Sequence, residues 1–205
     1  MPVSTFTIEV SFDLICPWCL IGKRHLETAL AQLRIEQPEA TVSVEWHSVP
    51  LIPGIPPEGI PYRDFYEKRL GSAQAVAARQ AQVQAAANDA GVTIAFDRMK
   101  TFPSTLLAHR LVRFTREQAG ADAASALIDN LFERYFLRGE NIGDAQVLAE
   151  AMHECGVSMP QTLPSLPQPR YANTGVPFFV FGNAVAVSGA VPPETLLRGM
   201  RQAAQ

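Results

Sequence analysis

From Thr5 to Phe12 the chain alternates, with Phe6, Ile8, Val10 and Phe12 on one side and Thr5, Thr7, Glu9 and Ser11 on the other. Strict alternation of this kind predicts a half-buried strand. From Pro17 the period lengthens: Leu26, Leu30 and Leu33 recur at helical spacing, and proline suits a first helical position because its missing N–H has no partner there. Val42, Val44 and Trp46 then alternate again. Strand, helix and strand within about 45 residues is the length of a right-handed βαβ crossover, so the two strands should be parallel.

Pro50, Pro53, Pro56, Pro57 and Pro61 interrupt the pattern with a stretch that neither regular helix nor a central strand accommodates. From about Arg63 to Cys155 the periodicity is helical, with segments at Val76–Ala90, Leu106–Phe114, Leu127–Leu137 and Ala145–Met152. A second proline cluster, Pro160, Pro164, Pro167 and Pro169, closes this region. Two short apolar runs follow, Val176–Phe181 and Ala184–Val187, separated by Gly182-Asn183, a pair that predicts a hairpin. A helix from Pro193 to Ala203 ends the pattern. The order implies a discontinuous α/β domain, residues 1–60 with 171–205, carrying an inserted helical domain over 61–170.

Composition narrows the function. The chain is 47% hydrophobic and 18% charged, which excludes a disordered chain, and its formal charge of −3 excludes the basic field that nucleic acids or anionic membranes attract. No apolar run approaches the roughly 20 residues of a membrane span, and no Lys or Arg precedes Lys23, so a cytoplasmic chain without a secretory start is expected.

Three cysteines are too few for a disulfide scaffold, and two of them form Cys16-Pro17-Trp18-Cys19 at the predicted start of the first helix. Backbone N–H groups and the helix dipole favour a thiolate there. Lowering a thiol from about 8.5 to about 6 takes about 3.4 kcal/mol, and a helix end supplies at most about 2, so hydrogen bonds to the sulfur must contribute. Pro17 has no N–H to give. The expected donors are the amides of Trp18 and Cys19 and the Cys19 thiol, with Cys16 the exposed nucleophile and Cys19 the resolving thiol one turn inside. A zinc clip would need two further ligands, for which the sequence offers His25 and the distant His153-x-Cys155; metal binding is not expected. Cys155 reads as a free, partly buried thiol.

The segment from Phe12 to Arg24, Phe12-Asp13-Leu14-Ile15-Cys16-Pro17-Trp18-Cys19-Leu20-Ile21-Gly22-Lys23-Arg24, resembles the active-site region of the DsbA-like branch of the thioredoxin superfamily, more closely its cytoplasmic FrnE-like members. Leu106–Leu111, the stretches Tyr135-Phe136 and Asn141–Asp144, and Gly175–Val180 are similar to the same group. The resemblance implies a thioredoxin-like fold with a helical insertion and a thiol-disulfide oxidoreductase or isomerase. It also implies a cis Pro177 packed against the Cys pair and a Val176 backbone that docks an extended substrate. The chain departs from the family pattern at Met159–Arg170, proline-rich where relatives continue in helix, and at Val191, where the group often has Gln.

Pro17, Trp18, Val176 and Phe178, with Leu14, are expected to form an apolar lip for substrate. Asp13 either ends its strand or accepts the Cys19 proton, and His109 is a candidate auxiliary residue by analogy with kappa-class relatives. Protein or small-molecule thiols and disulfides are the expected partners. No cofactor is called for, and glutathione would enter as a co-substrate. Two other classes share this fold or cleft. Glutathione-dependent 2-hydroxychromene-2-carboxylate isomerases and kappa-class transferases would carry Ser at position 16 and no Cys pair, whereas a redox-inert chaperone or binding module would use the cleft alone.

Overall fold

A computed structural model describes residues 5–171 and 174–204. The chain forms two compact units: one runs to Val49 and resumes at Gln168, and the other spans Pro50–Pro167. The first proline-rich stretch therefore belongs with the helical unit, whereas the sequence pattern drew that boundary after residue 60.

The first unit is built on a four-stranded sheet. β1 (Thr5–Phe12) pairs in parallel with β2 (Thr41–Ser48) through α1 (Pro17–Glu36), the crossover that the alternation and its change of period predict. On its other side β1 pairs antiparallel with β5 (Phe178–Phe181), which continues into β6 (Val185–Ser188), giving the order β2-β1-β5-β6. Phe6, Ile8 and Val10 of β1 and Phe179 and Phe181 of β5 face one side. There they meet Leu26, Ala29 and Leu33 of α1 and Leu196, Leu197 and Met200 of α6 (Pro193–Ala203). Each such side chain contributes about 1.5–3 kcal/mol on burial, so this face holds the unit together. The hairpin differs in detail from its sequence signature. Phe181 pairs with Val185, which makes Gly182, Asn183 and Ala184 a three-residue loop with the first two in left-handed backbone. Val176 and Pro177 lie before β5 rather than in it.

The second unit contains α2 (Tyr62–Leu70), α3 (Ala73–Asp89), α4 (Leu106–Phe132), a π-helical turn (Glu133–Arg138) and α5 (Ala145–Glu154). It also holds a two-residue ribbon of β3 (Ile60–Pro61) with β4 (Thr101–Phe102). The two helices expected from the sequence at Leu106–Phe114 and Leu127–Leu137 are both present: they are the two arms of α4, separated by a kink at Gly120, whose φ of 90° and ψ of −178° are not helical, and the second runs on into the π-helical turn. Only glycine adopts that backbone readily. Local capping supports the ends: Ser72 Oγ accepts the Ala75 N–H, and Asp144 accepts those of Gln146 and Val147. The buried Arg134 is matched by Glu140 and Glu154, at 2.6 and 2.7 Å, and by Asn130. The second proline cluster forms neither helix nor strand and is bound to α4 through its carbonyls, with Arg110 donating to Leu163 and Pro164 at 3.0 Å each and Arg113 donating to Ser165. Among the described residues no helix is long and apolar enough to cross a membrane.

Candidate active site

β1 ends at Phe12, and the next three residues turn the chain into α1. The Cys16 N–H donates to the Asp13 carbonyl at 3.2 Å, and Cys16 then takes the N-cap position in extended backbone with Pro17 following as the first helical residue. Cys19 lies in the first turn, its N–H donating to the Cys16 carbonyl at 2.9 Å. Strand end, proline and helix start thus bring two thiols to one point. The three cysteines are free thiols.

Two expectations need correction. Cys16 is 7% exposed and Cys19 2%, so the first sulfur is the more accessible but is buried, not exposed. The amides of Trp18 and Cys19 do not bond the Cys16 sulfur: no side-chain cap bond forms, because the Cys19 N–H is engaged by the Cys16 carbonyl. Cys16 Sγ instead donates to the Val176 carbonyl at 3.8 Å and shares a hydrogen bond with the Cys19 thiol.

Burial raises the Cys19 thiol well above its ordinary value; the hydrogen bond to Cys16 and the charge of Cys16 push the same way, and the Asp13 carboxylate adds to it. A backbone bond from Asp13 opposes these effects. Cys155, at the end of α5, is also raised, first by burial and then by the neighbouring charge of Glu154. Both groups therefore hold their protons below and through the ordinary thiol range. A sub-stoichiometric alkylating agent near pH 7 is expected to label Cys16 first, with Cys19 and Cys155 following only at pH above the ordinary thiol range. Peptide mapping that found Cys19 or Cys155 labelled first would contradict this assignment.

The loop before β5 completes the site. The Val176–Pro177 peptide is cis. Pro177 is buried, and its ring lies against α1 at Gly22, where an added Cβ would stand 2.9 Å from Pro177 Cγ and 3.2 Å from Phe179 Cζ. The Pro177 carbonyl accepts the Gly189 N–H at 2.8 Å, tying the loop to the end of β6. Pro17, Trp18, Val176 and Phe178, the residues expected to form the apolar lip, are each half-buried. Leu14, expected in that lip, is fully buried and lines the core instead, since it points inward in the turn after β1. Asp13 is fully buried beside Cys19. His109 is also fully buried, within α4 of the helical unit. His25 Nδ1 bonds the Val191 carbonyl at 2.8 Å, and among the described residues no three His, Cys, Asp or Glu side chains could hold a metal ion.

Sequence reasoning missed Gly22 and Lys23. Glycine inside a helix costs about 1 kcal/mol against alanine, which is itself a sign of a close approach. Lys23, although charged, is 4% exposed: it pairs with Glu27 at 2.5 Å and lies 5.6 Å from the Trp46 ring centroid.

Residues 7–174 match the family model of the DSBA-like thioredoxin domain, and the chain belongs to that family. Its fold is that of a probable DsbA oxidoreductase from Streptomyces coelicolor. The two share 28% identity and a TM-score of 0.77, with 97% of this chain and 89% of that one covered. It is 25% identical to the uncharacterized protein YwbO of Bacillus subtilis strain 168 across 91% of this chain and 92% of the relative. A 2-hydroxychromene-2-carboxylate isomerase, 13% identical, has the same fold at a TM-score of 0.54 over 96% of this chain and 95% of its own. Proteins of the DsbA-like family are generally thiol-disulfide oxidoreductases.

Proposed function

We propose that the protein is a thiol-disulfide oxidoreductase or isomerase in which Cys16 is the nucleophile and Cys19 the resolving thiol. The observation that carries this reading is the hydrogen-bonded pair of free thiols at the start of α1, with the Val176 carbonyl against the outer sulfur. The fold is common to oxidoreductases and to glutathione-dependent isomerases, so it does not discriminate between them. The second cysteine does, because orienting glutathione needs only one hydrogen-bonding group at position 16.

The chemistry proceeds in two exchanges. Cys16 loses its proton, and its thiolate attacks one sulfur of a substrate disulfide; a new S–S bond forms to Cys16 and the other substrate sulfur leaves as thiolate. Deprotonation also ends the Cys16 bond to the Val176 carbonyl, freeing that oxygen to accept a backbone N–H from an extended substrate. Cys19 must then attack Cys16. Burial, the largest contribution to its raised value, persists in the mixed disulfide, but the hydrogen bond and charge from Cys16 vanish once that sulfur is bonded covalently. Cys19 thus becomes easier to ionise at the step that needs its thiolate. The buried Asp13 carboxylate accepts the proton, the Cys16–Cys19 disulfide forms, and the second substrate sulfur leaves.

In a reducing cytoplasm the pair would rest as the dithiol, making reduction or isomerisation of substrate disulfides the working direction. Glutathione would serve as co-substrate, two molecules of it reducing the Cys16–Cys19 disulfide and leaving as one oxidised dimer. Equilibration with mixtures of oxidised and reduced glutathione, followed by mass analysis of trapped thiols, is expected to reveal one reversible intramolecular Cys16–Cys19 disulfide. Failure to form it at any ratio would refute the reading.

A further inference from the structure

The helices of the sheet unit, α1 and α6, both pack on the face formed by Phe6, Ile8 and Val10. Glu9 lies on the other face, in the middle of β1, in register with Glu45 on one side and Val180 on the other. Its side chain is 11% exposed. A carboxylate this dry, beside a second carboxylate on the next strand, requires a cation. One is present: Arg170 Nη1 lies 3.2 and 3.4 Å from the two carboxylate oxygens, and the His47 ring stands with Nε2 3.3 Å from one of them. None of these groups takes part in the exchange chemistry.

Arg170 marks the point at which the chain returns toward the sheet. Its guanidinium carbon is 5.4 Å from the Tyr171 ring centroid, and the Tyr171 ring is 5.3 Å from that of Phe178, the residue after Pro177. The Tyr171 carbonyl accepts both the N–H and the hydroxyl of Thr174, at 3.2 and 2.7 Å. The far side of the loop is held by Gly189, as described above; the near side is held through Tyr171 and Arg170. Contacts therefore run from a buried charge on the central strand to Phe178, two residues beyond the Val176 carbonyl that meets Cys16.

We propose that Glu9 and Arg170 are positioning residues that anchor the Val176–Pro177 loop for extended substrates. This rests on the reading that Val176 docks the substrate backbone. A small disulfide needs only the Cys16 sulfur, whereas an extended peptide also needs the Val176 carbonyl at a fixed place, so the two substrates should respond differently to loss of the anchor. Arg170 reaches both carboxylate oxygens through a single nitrogen, a contact that a lysine ammonium can replace.

The test compares native protein with Glu9→Gln, Arg170→Gln and Arg170→Lys. Reduction of a disulfide-bonded peptide and of 2-hydroxyethyl disulfide is measured, together with the rate of Cys16 alkylation. Both glutamine variants are expected to raise KM for the peptide about threefold, the scale of a partly solvated ion pair, with its kcat, small-disulfide reduction and alkylation unchanged and Arg170→Lys close to native. Should Glu9→Gln fail to fold, Arg170→Gln carries the test, because its side chain is 64% exposed. An unchanged peptide KM, or an equal loss on both substrates, overturns the anchor while leaving the exchange reading intact. Native protein that reduces neither substrate refutes the exchange reading, and the anchor falls with it.

Discussion

Replacing Cys19 with Ser is expected to convert the protein into a trap: substrate accumulates on Cys16 as a mixed disulfide, and turnover stops after one covalent step. A hydroxyl cannot expel the substrate thiol from the S–S bond, so the intermediate has no intramolecular exit. Cys16→Ser should form no adduct and lower disulfide reduction by about 10³-fold or more, the scale on which losing a covalent nucleophile acts. The asymmetry follows from the geometry, in which Cys16 meets the Val176 carbonyl while Cys19 is 2% exposed and holds its proton tightly. Non-reducing gel shifts with mass mapping check it. Adducts found on Cys19, or on Cys155 in either variant, would reverse the assignment.

The second large effect lies outside the sulfur chemistry. A Gly22→Val substitution is expected to destabilise the protein by about 1–3 kcal/mol and to reduce exchange with peptide disulfides while leaving Cys16 open to small alkylating agents. A Cβ at this position would already stand 2.9 Å from Pro177 Cγ, and the two further methyl groups of valine make accommodation harder. The Pro177 ring and the Val176 carbonyl with it must then move off α1. Denaturant midpoints and peptide-disulfide kinetics measure the two parts separately. Native-like values for both would show that α1 and the proline loop do not depend on this close approach.

Much of this architecture is legible in the amino-acid pattern because local periodicity and tertiary burial agree. Thr5–Phe12 alternates and is a central strand with its apolar face on α1 and α6. It is not half-buried as the alternation predicts, since a central strand covers its other face as well and buries Glu9 and Ser11. Pro17 opens a helix, and the active-site turn sits where the period changes. The Gly-Asn pair locates the hairpin but not its length, since Ala184 reads as strand by hydrophobicity and is taken up by the turn. Gly120 falls in the gap between the two helical segments that the periodicity separates, and its backbone angles fix the position of the break.

Side-chain exposure is the least legible feature. Nothing local distinguishes Leu14, which is fully buried, from Trp18, which is half-exposed, because burial is decided by which elements return over the turn. Glu9 and Lys23 look like solvated charges in the sequence. Glu9 acquires its neighbours only in the fold, from residues 38 and 161 positions away; Lys23 has a local partner in Glu27, and what the fold adds is its burial and the Trp46 ring of β2.

The most direct test of the central claim assays native protein, Cys16→Ser and Cys19→Ser side by side in two reactions: reduction of insulin-type disulfides, and glutathione-dependent isomerisation or conjugation. The exchange mechanism predicts disulfide reduction by the native protein alone, with both serine variants inactive in turnover and no glutathione-dependent isomerisation by any of the three. Isomerase or transferase activity that survives in the serine variants, alongside negligible disulfide reduction by the native protein, would contradict it.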